Sequence, residues 1–275
     1  MPSTFLIVPQ WQGSGSSRAM RLVDGAETIS GDLPSSTTAR VEVPLEAGDA
    51  LGSSVLRLSS LTTVAERVRE HVTRATDPVI VIGGDCGIEA GAIAPVIAPD
   101  VAVVWFDAHP DLNTPESSPS GAFGGMVLRT LLGDGPANLV PAAPLSPERV
   151  ILAGARAFDA HEEEYLDQTA MAVLGPEQVT AARLLEAVEA TGASRVYVHI
   201  DLDVLDPAEF ESLTAPQPFG VPTRELVAGI RALTERFELA GAGITAFAPA
   251  NAMDAADDMP TVLRLIAALT SRRST

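Results

Sequence analysis

Apolar residues arrive along this chain in two rhythms. Short, nearly unbroken runs at residues 4–9, 39–43, 78–82, 101–106, 149–153, 169–174, 195–200 and 243–248 read as buried strands. Between them, recurrence at every third or fourth position predicts helices. Leu61, Val64, Val68 and Val72 mark one over residues 61–75, and others follow over 87–98, 125–132, 176–191, 222–237 and 260–272. Pro222, with Thr223 and Glu225 behind it, suits a helix start, and Arg272 and Arg273 suit a helix end. Residues 12–38, rich in Gly, Ser, Asp and Thr, read as loop with at most one helical turn, and residues 134–147 as a Pro/Ala-rich connection. Strands alternating with helices from end to end predict an α/β fold with a mostly parallel sheet of about eight strands and helices on both faces. Neither a repeat nor a linker interrupts the alternation, so residues 1–275 are expected to form a single domain.

Composition narrows the function. The 275 residues carry 36 acidic and 18 basic side chains, a formal charge of -18 that disfavours nucleic acid and anionic membranes as partners. Every basic residue is Arg, so no lysine-dependent catalysis is open to the chain. Its one cysteine, Cys86, excludes an intramolecular disulfide. No apolar run approaches the roughly 18 residues of a membrane span, and residues 1–8 lack the basic segment and cleavage site of a signal peptide. A cytoplasmic location is the expectation.

The candidate chemistry sits where two apolar runs end. Val103-Val-Trp-Phe-Asp-Ala-His-Pro-Asp111 closes on Asp107, His109 and Asp111 at alternate positions, and Val196-Tyr-Val-His-Ile-Asp-Leu-Asp203 closes on Asp201 and Asp203. Alternate residues of an extended chain share a face, and open α/β sheets place ligands at the carboxyl edge of their strands. Acids and a histidine after a strand also serve as ordinary turn formers. Two such clusters converging on one sheet edge would repel strongly without a cation. Carboxylates with one imidazole favour Mn²⁺, and their number suggests two ions.

Gly83-Gly-Asp-Cys86, Asp107-Ala-His-Pro-Asp111 and Asp201-Leu-Asp-Val-Leu-Asp-Pro207 resemble, in order and spacing, the three metal motifs of the arginase/agmatinase (ureohydrolase) family. The resemblance extends over residues 78–250. It implies a three-layer α/β/α sandwich, two Mn²⁺ ions that activate water, and hydrolysis of a guanidino C–N bond. Asp107 and Asp201 are then bridging ligands, His109 and Asp203 complete one site, and Asp111, with or without Cys86, holds the other. Asp111 and His109 are the expected catalytic residues, with general-base and proton-shuttle work falling mainly to the metal-bound water and Asp111. Asn113-Thr-Pro115 and Ser120-Gly121 match the loop that grips a substrate α-carboxylate. Asp159, with Glu162 beside it, matches the group that holds an α-ammonium, which implies a small amino-acid substrate. The family's varied oligomeric states leave that property unassigned.

Departures from the family pattern carry as much information. Cys86 stands where the family has His, either as a softer ligand or as an unligated buried thiol. Ala246 takes the place of a Glu that clamps the guanidinium, and Gly124 that of a proton-shuttling His. Three explanations are open: a metal-poor, non-catalytic protein with a binding or regulatory role, a different guanidino substrate, or another acid (Asp254, Asp257 or Asp258) replacing the Glu. An N-hydroxyguanidine is less basic than a guanidine and needs no carboxylate clamp. Hydrolysis of Nω-hydroxy-L-arginine to L-ornithine and hydroxyurea, as in the branch of the family serving D-cycloserine biosynthesis, is therefore the leading expectation, ahead of arginase, agmatinase or other guanidino-acid hydrolysis. Of the other histidines, His199 shares a strand face with Asp201 and is placed to orient a carboxylate, His71 reads as helix surface, and His161 as cavity rim.

Overall fold

The computed structural model describes residues 4–271. Eight strands lie among them: β1 (Thr4–Ile7), β2 (Thr38–Arg40), β3 (Val79–Ile82), β4 (Val101–Phe106), β5 (Val150–Ala153), β6 (Ala172–Leu174), β7 (Arg195–Asp201) and β8 (Glu238–Thr245). All pair in parallel, in the order β2-β1-β3-β8-β7-β4-β5-β6. The helices are α1 (Arg21–Gly31), α2 (Leu58–Arg74), α3 (Glu89–Ala92), α4 (Val127–Leu131), α5 (Ala160–Asp167), α6 (Ala181–Ala190), α7 (Thr223–Arg236) and α8 (Ala252–Leu269). They form two layers. Side chains of α1, α6, α7 and α8 join one apolar cluster with Phe5, Ile82, Val104 and Ile200, while α2, α3 and α4 join another with Leu6, Val81, Val103 and Trp105. The strands are apolar on both faces because both are covered. This is the expected three-layer α/β/α sandwich, and its sheet is wholly parallel. No described helix is long and apolar enough to cross a membrane.

The chain first lays down β1 to β3, jumps to β4, runs outward through β5 and β6, and returns to fill the gap with β7 and β8. Every strand therefore ends on the same edge, and the connections of the neighbours β4 and β7 run in opposite directions, β4 leading outward to β5 and β7 back to β8. Ligands of open α/β sheets gather at such a reversal. Register adds precision: Phe106 pairs with Ile200, and Ile200 with Ile244. Asp107 and Asp201 therefore leave neighbouring strands at the same level.

Beyond shifts of a few residues at element ends, the structure departs from the sequence reading in these places. Residues 12–38 contain α1, three turns long, with Leu22, Ala26 and Ile29 buried. Gly25 looks like a helix breaker, but a Cβ there would overlap the Phe247 carbonyl. The predicted helix over 87–98 is broken into a 3₁₀ turn (Cys86–Ile88), the single turn α3 and a second 3₁₀ turn (Ala94–Val96) carrying Pro95. Helix α5 occupies an acidic stretch to which the sequence reading assigned no element, started by an Asp159–Glu162 capping box. Strand β8 begins earlier and ends at Thr245 rather than residue 248. Helix α8 begins well before Pro260, at an Asn251 cap that accepts from Met253 N (2.8 Å) and Asp254 N (3.1 Å). The predicted role of Arg272 and Arg273 lies outside the described residues.

Candidate active site

At the carboxyl edge, the tips of β3, β8, β7 and β4 line up side by side. They bring Cys86, Asp201, Asp203, Asp107, His109 and Asp111 to one place, as the sequence predicted. Backbone amides hold three of the four acids. Asp107 Oδ1 accepts from His109 N (2.7 Å), Asp201 Oδ1 from Asp203 N (2.8 Å), and Asp203 Oδ1 from Ala108 N (3.0 Å). The last bond crosses from the β7 loop to the β4 loop and ties the two motifs together. Asp111 sits at φ 53°, a left-handed conformation that a non-glycine residue enters at a cost of about 1–3 kcal/mol. Its carbonyl accepts from Arg129 N at 3.1 Å, which pins the kink.

Two clusters of donor atoms result. His109 Nδ1 lies 3.0 Å from Asp203 Oδ2 and 3.5 Å from Asp107 Oδ1. Cys86, Asp107 and His199 form a second group, their donor atoms all within 4.8 Å of one another. Cys86 Sγ is 2.9 Å from Asp201 Oδ2 and 3.9 Å from Asp107 Oδ2. Asp111 Oδ2 and His199 Nε2 are buried without a hydrogen-bond partner.

Electrostatics follow from crowding and burial. Burial, followed by the charges of neighbouring carboxylates, pushes Asp111, Asp201 and Asp203 above the usual carboxylate range. Burial and the same carboxylates push the Cys86 thiol up as well. Burial opposes charge on His109, but Asp107 and Asp203 outweigh it and push the imidazole up to about 12. Burial likewise opposes a charged Asp107, yet His109 and His199 hold it well below its ordinary value. Four buried acids, a thiol and two imidazoles with orphaned donor atoms form an arrangement that divalent cations neutralise. The oxygen-rich donor set fits Mn²⁺ on the His109 side, with sulfur present only on the Cys86 side.

A cavity of about 410 Å³ opens over this centre. Cys86, His109, Asp111, Asp201 and Asp203 form its floor; Asn113, Ser120, Asp159 and Glu162 belong to its wall, with Gly124 and Ala246. Asn113 Nδ2 donates to Asp159 Oδ2 at 2.8 Å, and Asn113 Oδ1 accepts from Ser117 Oγ at 2.8 Å. Glu162 is more occupied than the sequence implied. Its oxygens accept from Leu112 N and Asp159 N, each at 2.9 Å, so it braces the wall. His161 is exposed and faces Glu164 at 3.8 Å, away from this cavity. His71 is partly buried at the end of α2.

The proposed replacements for the missing Glu do not reach the cavity. Asp258 is buried and accepts from Glu211 N and Ser212 N, Asp254 accepts from the Asn251 side chain, and neither they nor Asp257 line the space. The wall at Ala246 carries no acid, and Ala246 itself sits at φ 65° with its N–H bonded to Gly84 O.

Four supporting residues were missed by sequence reading. Glu89 lies fully buried under Cys86, Asp85 accepts from Gln10 Nε2 and the amides of Gly13 and Gly87, and Arg156 fans across six backbone carbonyls. Gln217 Nε2 approaches His109 Nε2 at 3.4 Å. Of these only Glu89 left a signal, as a lone acid in an otherwise small and apolar stretch.

Comparison with known proteins agrees with this geometry. A family model described as Arginase family matches residues 20–269. The arginase of Bacillus subtilis is 33% identical over 173 residues, spanning 59% of this chain and 58% of that protein, less than two thirds of its length. The N(omega)-hydroxy-L-arginine amidinohydrolase of Streptomyces lavendulae is 31% identical over 231 residues, 82% of this chain and 77% of that protein. Among solved structures, the arginase of Entamoeba histolytica in complex with L-ornithine superposes with a TM-score of 0.87 at 24% identity, over 98% of both chains.

Proposed function

The chain belongs to the arginase family of amidine hydrolases, and from that premise we propose that it hydrolyses Nω-hydroxy-L-arginine to L-ornithine and hydroxyurea. The observation carrying this choice is that Ala246 lines the cavity in place of the family's Glu, while none of Asp254, Asp257 and Asp258 lines it. A fully charged guanidinium would lose its hydration there without a partner, which is costly. An N-hydroxyguanidine is less basic and enters more nearly neutral, and Thr214, which also lines the cavity, offers it a hydroxyl. The similarity to the Streptomyces lavendulae enzyme supports the same reading.

Asp107, His109 and Asp203 are the residues to hold one Mn²⁺, and Asp111, Asp201, Asp107 and Cys86 those to hold a second. When bound, the pair supplies Lewis-acid polarisation and lowers the pKa of water so that it can attack near neutral pH. Asn113 and Ser120 orient the α-carboxylate, and Asp159, fixed by its bond from Asn113, takes the α-ammonium. The substrate's side chain then points toward the floor. Water adds to the guanidino carbon, and the bond from that carbon to the ornithine δ-nitrogen breaks. Asp111 has its free Oδ2 on the cavity floor to carry the proton from the water to the departing nitrogen.

The test is a product assay with added Mn²⁺, following ornithine and hydroxyurea, with L-arginine and agmatine in parallel. A kcat/KM higher for Nω-hydroxy-L-arginine than for the other two is expected. Preference for L-arginine or agmatine would overturn the substrate assignment.

A further inference from the structure

The Cys86 side of the centre contains a set of donors that the reading above leaves unused. Glu89 and His199 are both 0% exposed. Glu89 Oε2 accepts from the Tyr197 hydroxyl at 2.6 Å, and Oε1 faces His199 Nδ1 at 2.8 Å. Room for this carboxylate exists because β8 carries glycine at 243, where a Cβ would overlap Glu89 Oε1. Trp105 stacks on the imidazole with centroids 3.7 Å apart and an interplanar angle of 26°. The ring is thus fixed on one edge and one face.

Its other nitrogen has no partner. His199 Nε2 is buried and unbonded, 3.7 Å from Asp107 Oδ2, too long for a hydrogen bond. Cys86 Sγ lies 3.9 Å from the same oxygen. Donors around a tetrahedral ion with bonds of about 2.0–2.3 Å stand roughly 3.3–3.8 Å apart, so these separations suit atoms sharing an ion. A buried imidazole serving only as the partner of Glu89 gains nothing from an orphaned nitrogen, which costs about 1–3 kcal/mol. A carboxylate that grips one nitrogen while the other faces a cluster of donors is how proteins orient metal-binding histidines.

We propose that His199 Nε2 is a direct ligand on the Cys86 side, oriented by Glu89 and Tyr197. It would give that position a thiolate–imidazole–carboxylate donor set suited to Zn²⁺ or Co²⁺ as well as Mn²⁺. The inference rests on the two-ion reading of the centre. It also recasts the substitution at Cys86: the imidazole is supplied from β7 instead of from the loop after β3.

Cobalt titration of the metal-stripped protein tests it, with metal counting by mass spectrometry. The expected result is two Co²⁺ per chain, one giving a thiolate-to-cobalt charge-transfer band in the near ultraviolet that Cys86→Ser abolishes. His199→Ala and the milder Glu89→Gln should each weaken the ion giving this band about 10–100-fold and leave the other ion unchanged. Should His199→Ala fail to fold by circular dichroism, Glu89→Gln decides. Two ions without a sulfur band, or an unchanged affinity in the folded variants, would overturn the inference alone. No bound ion at all would overturn the two-ion reading together with it.

Discussion

Arg156 offers a quantitative test of how the rim of the cavity is held. Its Nη2 donates to Asp203 O and Gln217 O, both at 2.8 Å, and to Leu205 O at 3.3 Å. Nη1 reaches Gly154 O at 3.0 Å and Val204 O at 3.3 Å, and Nε reaches Pro218 O at 3.1 Å. One guanidinium thereby joins the loops after β5 and β7 to the segment that brings Gln217 to His109. In Arg156→Ala, water can replace the outer bonds to Gln217 and Pro218. The inner bonds to Asp203 and Gly154 have no such substitute, and at about 1.5–3 kcal/mol for each charged bond their gross value is about 3–6 kcal/mol. Because the side chain is half-buried, the lower end applies, a loss of about 3 kcal/mol. Urea unfolding followed by circular dichroism should show the midpoint falling by about 1 M at an unchanged slope of about 3 kcal/mol/M. Arg156→Lys keeps the charge but not the fork, and should recover at most half of the loss. A cost below about 1 kcal/mol for the alanine variant, or full recovery by lysine, would refute this account of the rim.

Three further outcomes follow from the site. Mn²⁺ at about a hundred times its dissociation constant should stabilise the protein by about 2.7 kcal/mol per site, raising Tm by about 5–10 °C in a thermal melt, reversibly with chelator; Asp201→Asn should remove most of the effect. Ala246→Glu needs no new backbone strain, since Ala246 already sits at φ 65°. It should raise the kcat/KM for L-arginine relative to Nω-hydroxy-L-arginine by about 10–100-fold, the worth of a charged hydrogen bond; an unchanged ratio would argue that the guanidino group does not face that wall. Burial, opposed by bonds from Gly87, Gly13 and Gln10, raises Asp85 from 3.8 to about 6. The folded state therefore binds the proton more tightly than the unfolded chain. The Asp85 contribution should be complete below pH 4 and lost as pH rises through about 6, a fall of about 3 kcal/mol in metal-free protein, which Asp85→Asn should flatten in denaturation curves taken across that range.

The sequence was most readable where a single local rule governs. Strand β4 is bounded as expected because six consecutive apolar residues, all but Ala102 β-branched or aromatic, suit a doubly covered strand, and the acids that follow it mark the sheet edge. Helix α1 was hidden because the glycine that lowers its propensity is demanded by a neighbour distant in sequence, the Phe247 carbonyl. Helix α8 was shortened because Pro260 resembles a start, whereas the Asn251 cap and the packing of Ala255, Met259 and Val262 carry the helix through it. Five of the side chains that converge at the sheet edge were legible because they obey a period of two. Arg156 acts on groups far away in the chain, and nothing in its immediate sequence says so, while Glu89 shows only as a lone acid in an apolar stretch. His199 lay in view, but only the three-dimensional positions of Glu89 and Gly243 reveal which way each nitrogen faces.

The pairing of Phe106 with Ile200 has one more consequence. Asp107 and Asp201 stand apart by a distance that main-chain hydrogen bonding dictates, the same in every parallel sheet at about 4.8 Å between strands. Side-chain replacements on the rim cannot alter it. The strand spacing is thus a gauge block that side-chain mutation does not recalibrate, while Cys86, Gly124 and Ala246 occupy positions outside the paired strands. A change of substrate can therefore leave the spacing of the reactive centre untouched.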